Sequence, residues 1–320
     1  MSQTDGSFNC SLKSSKTCRF GIQFSPEFNI CAEIGSIQVL KLIQDYFGCG
    51  HVYTNPKTNS ATFVVTKLSD LYTIILPHFS KHQVHCAKLH AFKLFTKIVS
   101  ALYNKEMKSL EERRELLRMA LSMNPYSNRK SETINLLWSK LSIYEEKDKH
   151  LINLELPNSE KSEITVSDQW ITGAIDGDGS FYVSFGSNGL IIPTFTFTND
   201  TYSLPLINSI KKRLQGIGSI SKVTDKNAIR YKIASLKDII THLIPMIDNN
   251  PLISERANHY CIFKKVCLKL NELTTKKVDL KTKLELIELA YDSNNKGTIR
   301  KLTKSEYILL IEQLHNTKNF

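Results

Sequence analysis

The chain has 320 residues, 41% of them hydrophobic and 23% charged, and a formal net charge of +11. That balance, with a pI near 9.2, favours a polyanionic partner without separating DNA from RNA or an acidic membrane surface. Seven cysteines without a CxxC pair or a Cys/His cluster at zinc spacing argue against a disulfide framework and a structural zinc site, and for reduced thiols in an intracellular setting. No run of eighteen apolar residues offers a membrane span, and Met1–Lys16 has neither the apolar core of a signal peptide nor an Arg-rich transit pattern.

In chain order, Phe8, Cys10 and Leu12 alternate with Ser7, Asn9, Ser11 and Lys13, the period of a strand with one apolar face. A polar loop over Lys13–Thr17 leads to a second alternating stretch, Arg19 to Phe24, with Phe20, Ile22 and Phe24 directed inward. Glu33 to Phe47 is helical by pattern and ends at Gly48-Cys49-Gly50. His51–Tyr53 and Ala61–Thr66 make a hairpin around Asn55-Pro56-Lys57, and helices are expected at Ser69–Phe79, Lys88–Tyr103 and Glu106–Met119. The spacing divides the chain into residues 1–123, a linker over 124–167 with one helix at Ser131–Tyr144, and residues 168–320.

The second part repeats the plan. Strands are expected at Phe181–Phe185, Ile191–Thr198, Gly218–Val223 and Ile229–Ala234, with helices at Leu204–Leu214, Leu236–Ile247 and Ser254–Leu270 and a charged helical tail from Leu280. Each half is thereby an α+β unit, a four-stranded antiparallel sheet backed by helices.

The stretch Trp170 to Phe181 joins three signals. A short apolar helix from Asp168 to Ile175, capped by Ser167 or Asp168, carries Gly173 and Gly177 on one face, which suggests close approach to another backbone. It runs into Asp176, Asp178 and Gly179, carboxylates badly placed at the negative end of a helix unless a divalent cation offsets them. Asp176 to Gly179 could equally be a plain Asp-Gly turn. The repeat decides between them, because Asp5-Gly6-Ser7-Phe8 copies Asp178-Gly179-Ser180-Phe181. Downstream, Gly48 and Gly50 match Gly216 and Gly218, Pro77 matches Pro245, Phe95 matches Phe263 and Lys97 matches Lys265, all at a constant offset of 168 residues.

Both copies resemble the two halves of a monomeric LAGLIDADG homing endonuclease of the kind encoded in organellar introns. Ile171 to Gly179 stands where the family's motif peptide stands, and Pro251–Ser254 through Phe263–Lys265 resembles its later helix segment. The resemblance implies two pseudo-twofold-related αββαββα halves whose motif helices pack together, each presenting an acidic residue that holds catalytic metal over double-stranded DNA. It implies a monomer without membrane attachment, promoting intron homing from a mitochondrial gene, with the chloroplast as the alternative.

On that reading Asp5 and Asp178 are the catalytic metal ligands for Mg²⁺ or another divalent cation, and the carbonyls of Thr4 and Gly177 add oxygens. Asp176 is structural, since Gln3 stands at its counterpart. Lys88 and Arg256 occupy matching places, either stabilising charge on the reacting phosphate or serving as phosphate-binding or surface cations. The outward residues suited to the major groove are Asn9, Ser11, Lys13, Arg19, Gln23, His51, Tyr53 and Thr62, then Tyr182, Ser184, Thr194, Thr196, Ser219, Ser221, Arg230 and Lys232. Polar outward residues are also what any solvated antiparallel sheet carries. His78, His82, His85 and His90 lack symmetry-related partners and read as surface histidines.

One departure stands out. Ala174 matches Met1, so the counterpart of Gly173 and the apolar run before it are missing, as in a chain translated in frame with an upstream exon or a decayed copy. Ile171, Ala174 and Ile175 are accordingly expected to be exposed. A splicing maturase that binds host intron RNA and an inactive DNA-binding remnant are the alternative functions.

Overall fold

Three residues beyond each repeated aspartate a phenylalanine turns inward, and the core of each repeat gathers around it. The computed structural model describes residues 5–18, 21–106, 109–123, 136–137, 139, 164–224, 226–273, 279–293, 300 and 302–316. The chain divides into two compact units, Met1–Ser162 and Glu163–Phe320.

The first unit runs β1 (Gly6–Ser14), β2 (Ile22–Glu33), α1 (Ile37–Phe47), β3 (His51–Asn55) and β4 (Ser60–Val65). Helices α2 (Leu68–Asp70), α3 (Leu76–Lys81), α4 (Cys86–Tyr103) and α5 (Leu110–Ser122) follow. The sheet is antiparallel in the order β1-β2-β4-β3. On its inner face Phe8 meets Phe28, Phe79, Phe92 and Phe95 at ring-centroid distances of 5.2, 5.1, 5.1 and 5.3 Å. Burying each such ring contributes about 1.5–3 kcal/mol.

The second unit runs α6 (Asp168–Asp178), β5 (Gly179–Phe185), β6 (Ile191–Asp200), α7 (Leu204–Arg213), β7 (Ser219–Lys222) and β8 (Ala228–Ile233). Next come α8 (Leu236–Asp238), α9 (Ile244–Asn249), α10 (Arg256–Glu272), α11 (Leu280–Ala290) and α12 (Lys304–Asn316). Its sheet repeats the topology as β5-β6-β8-β7. Phe181 takes the place of Phe8, 5.2 Å from Phe195 and 5.3 Å from both Tyr260 and Phe263.

The paired glycines have a shared backbone cause. Gly48 caps α1 with φ of +63°, and Gly216, two residues past the Leu214 cap of α7, has φ of +78° and donates its N–H to the Lys211 carbonyl at 2.8 Å. At Gly50 and Gly218, with φ of +79° and +73°, a Cβ would meet the carbonyl oxygens of Val64 and Lys232 at 2.7 and 2.5 Å.

Several elements differ from the sequence expectation. Strand β2 continues through Pro26 to Glu33, where a helix start was expected; Pro26 pairs with Cys10 on one side only, because β4 first pairs at Phe28. The helices expected over Ser69–Phe79 and Leu236–Ile247 each contain a π-helical turn, Leu71–Ile75 and Ile239–Leu243. Each turn precedes a proline, Pro77 or Pro245, whose missing N–H and ring forbid a regular helix there. Helix α5 starts at Leu110 rather than Glu106, since Ser109 and Glu112 form a capping box. Arg19 and Phe20 lie outside the described residues, as does the linker helix apart from Leu136, Leu137 and Ser139.

Candidate nuclease site and sheet faces

Helix α6 begins where the capping signal placed it, with Ser167 Oγ accepting from the Trp170 N–H at 3.2 Å. Asp168 is not the cap; it pairs with Arg213 at 2.8 Å. The helix runs to Asp178, past the expected end at Ile175. Ile171, Ala174 and Ile175 are buried rather than exposed, at 0%, 2% and 2% exposure, because α6 lies against β5 and β6 of its own unit. Gly179 then lets the chain turn into β5, since a Cβ there would meet Ile175 Cγ2 at 2.5 Å.

The carboxylates of α6 have separate tasks. Asp176 is buried, and both its oxygens are occupied: Oδ2 accepts from the Ile253 N–H at 2.9 Å, and Oδ1 from the Ser254 N–H at 3.2 Å and the Ser254 hydroxyl at 2.6 Å. These bonds tie the motif helix to the segment ahead of α10. Asp178, half-buried, accepts through Oδ2 from Asn199 Nδ2 at 2.9 Å. Asn199 Oδ1 accepts in turn from the Asp200 N–H and the Ser203 hydroxyl, both at 2.9 Å, which fixes the amide with its N–H₂ toward Asp178. Asn199 and Ser203 escaped the sequence reading, which ended the strand at Thr198. The available signal was Asp200, an N-cap residue accepting from the Ser203 N–H at 3.1 Å.

Arg256 donates Nε to the carbonyl of Asp176 at 2.9 Å and Nη2 to that of Gly177. A guanidinium fork thus holds the last carbonyls of α6, where the helix end favours a cation. The Gly177 carbonyl, implied as a metal oxygen, accepts from Arg256 here. In the first unit Lys88, at the matching place, donates to the carbonyl of Gly6, next to Asp5. Asp5 itself is half-buried, and its carbonyl accepts from the Cys31 N–H at 3.3 Å, extending the β1–β2 ladder. Thr4 and Gln3 lie outside the described residues.

Strand register sorts the proposed DNA-facing residues. In the first unit Asn9 lies opposite Glu27, Ser11 opposite Ser25, Lys13 opposite Gln23, and Thr62 between Cys31 and Tyr53. His51 shares that outward face through Val64 and Asn29, so β2 adds Ser25, Glu27 and Asn29, missed because the strand was read too short. In the second unit Tyr182, Ser184, Arg230, Lys232, Ser219 and Ser221 share the outer face, with Ser180, Ile192 and Thr198 added. Thr194 and Thr196 are on that face by register but are buried, at 2% and 7% exposure. Both are short side chains in an inner strand, beside the longer Tyr182 and Lys232.

His78 is no plain surface histidine. It is half-buried, 4.9 Å from the Phe47 ring and 4.8 Å from Phe79, and burial, with His82 beside it, holds its pKa below 6.5. Among the described residues no group of three or more His, Cys, Asp or Glu is placed to hold a metal ion, and no helix is long and apolar enough to cross a membrane. All seven cysteines are free.

The family model described as LAGLIDADG endonuclease matches residues 1–99 and 171–267. Among curated relatives, "Probable intron-encoded endonuclease 2" of Neurospora crassa is 25% identical over 269 residues, 83% of this chain and 58% of the relative. "Probable intron-encoded DNA endonuclease 1" of Mycosarcoma maydis is 23% identical over 80% of this chain and 93% of its own length. The chain therefore spans under two thirds of the first relative and nearly all of the second. Among solved structures, the LAGLIDADG homing endonuclease I-LtrWI bound to target DNA aligns with a TM-score of 0.79 at 23% identity, over 92% of this chain and 95% of that one. With a family match covering most of the chain and the same fold in solved members, this protein belongs to the LAGLIDADG endonuclease family.

Proposed function

We propose that the chain is a site-specific endonuclease that hydrolyses phosphodiester bonds of double-stranded DNA and promotes homing of a mitochondrial intron. The observation that carries the reading is the duplicated Asp-Gly-Ser-Phe, whose second aspartate ends a buried helix beside a polar sheet face. The two relatives named as intron-encoded endonucleases support it, as does the DNA-bound neighbour.

The similar structure of I-SmaMI was solved bound to uncleaved DNA in the presence of calcium ions. The donors here fit a hard cation: Asp178 is a carboxylate oriented by a neutral amide, and Mg²⁺ needs only one or two carboxylates beside water and phosphate oxygens. Asp178 and, by the repeat, Asp5 would each offer a carboxylate to such an ion, which when bound polarises the phosphate and activates a water. Asn199 and Ser203 orient Asp178 beforehand, and Asp176 with Arg256 anchors the helix that presents it. The outward residues of each sheet bind DNA, with Lys13, Arg230 and Lys232 as the cations on those faces.

The test is cleavage of duplexes carrying intronless exon junctions by the purified full chain. The expected result is double-strand cutting at one junction, abolished by a chelator and restored by Mg²⁺. Tight binding of host intron RNA with no cutting of any duplex would overturn the reading in favour of a maturase.

A further inference from the structure

Helices α11 and α12 follow the last residue matched by the family model, Cys267, and pack on the far end of the β5–β6 hairpin. Arg300 is central to that packing. Its guanidinium lies 4.8 Å from the centre of the Phe185 ring and 4.7 Å from that of Tyr291. It also donates Nη1 to the Val183 carbonyl at 3.1 Å and Nη2 to the Ala290 carbonyl at 3.3 Å. One planar side chain therefore ties the end of β5 to the end of α11. Two tyrosines complete the join: Tyr307 of α12 donates to the Phe185 carbonyl, and Tyr291 to the Leu302 carbonyl, both at 2.8 Å. The hairpin turn is fixed from the same side, since at Gly189, with φ of +76°, a Cβ would meet Ile311 Cδ1 at 3.1 Å.

Val183 and Phe185 face inward to these helices, and the residues that alternate with them, Tyr182 and Ser184, face outward opposite Thr194 and Ile192. Successive side chains of a strand leave on opposite faces, so the contacts that hold the inner row also set the height and tilt of the outer one. In the first unit Arg113 of α5 lies 5.7 Å over the Phe24 ring of β2.

We infer that Arg300 is a positioning residue for base recognition: by locking the tail helices onto β5, it holds the β5–β6 hairpin in the pose that reads one half of the DNA site. The inference rests on the proposed reading of the sheet faces as DNA-contacting surfaces.

The experiment selects bound sequences from a randomised duplex library with the full chain, in wild-type, Arg300→Lys and Tyr307→Phe forms, and records the melting temperature of each. Ser184→Lys marks the base pairs that the hairpin reads. Lysine keeps the charge but loses the planar fork and the stacking, and Tyr307→Phe removes one hydrogen bond while keeping the ring. Both variants should lose discrimination at the marked base pairs, by on the order of tenfold for Arg300→Lys, while selection in the other half-site stays as in wild type. Lowered melting temperature with unchanged selection in both variants would overturn the proposal and leave the tail a purely stabilising element. A wild-type chain that selects no duplex sequence would overturn the underlying reading and the proposal with it.

Discussion

Asn199 donates its side-chain amide to Asp178 at 2.9 Å, and the strand register puts Ala32 at the matching place of the first repeat. Gly179 pairs with Phe197 as Gly6 pairs with Ile30, and two residues further on stand Asn199 and Ala32. The two aspartates of the repeated motif are thus supported differently.

That difference makes Asn199 a sensitive position. Asn199→Ala should reduce cleavage by about 10- to 100-fold and raise the Mg²⁺ concentration needed for half-maximal rate, as loss of a group that orients a metal ligand does. Single-turnover rates across a Mg²⁺ titration, with DNA affinity measured alongside, check this. An unchanged Mg²⁺ midpoint would show that the amide does not act through Asp178.

Asp176 should matter for stability. Replacing it by asparagine sets an amide donor against the Ile253 or Ser254 N–H and leaves a buried donor without its acceptor, at a cost of about 1–3 kcal/mol. Urea unfolding of Asp176→Asn should show that loss, and Ser254→Ala a smaller one. Equal midpoints for Asp176→Asn and wild type would contradict the anchoring role.

His78 gives a pH dependence. Its folded pKa lies below the ordinary imidazole value of 6.5, first because of burial and then because of His82. A base with a lowered folded pKa binds fewer protons when folded, so its contribution is fully present above pH 6.5 and is lost as pH falls through the folded pKa. Denaturant midpoints followed from pH 7.5 downward should fall less steeply in His78→Gln than in wild type.

The sheet faces can be probed through salt. Lys13→Ala and Arg230→Ala should each weaken duplex binding and reduce the slope of log affinity against log salt by about one unit if they contact phosphate. If they contact bases, selection should relax at one or two positions instead. Thr196→Ser should leave selection unchanged, since Thr196 is buried.

Much of this organisation was legible in the residues. The repeat, the two sheets, the Ser167 cap and the glycine pairs at Gly48/Gly216 and Gly50/Gly218 follow from local chemistry that each residue carries alone. What escaped depends on partners distant in sequence. Pro26 reads as a strand breaker until its position beyond the end of β4 is known. Thr194 and Thr196 alternate as outward residues, and only an inner strand with long neighbours buries them. The π-helical turns before Pro77 and Pro245 could have been suspected, since a proline inside a helical period must be accommodated somehow. Asn199 and Arg300 carry no local pattern; each is defined by what a remote strand or helix brings to it.

The central claim is that one carboxylate from each repeat does the chemistry while the sheet faces do the binding. The most direct measurement compares Asp5→Asn, Asp178→Asn and wild type for Mg²⁺-dependent cleavage and for duplex affinity on the same substrate. Both variants should lose cleavage and keep affinity within a few-fold, since removing a carboxylate does not weaken attraction for the phosphate backbone. Cleavage by either variant at the wild-type rate would contradict the account.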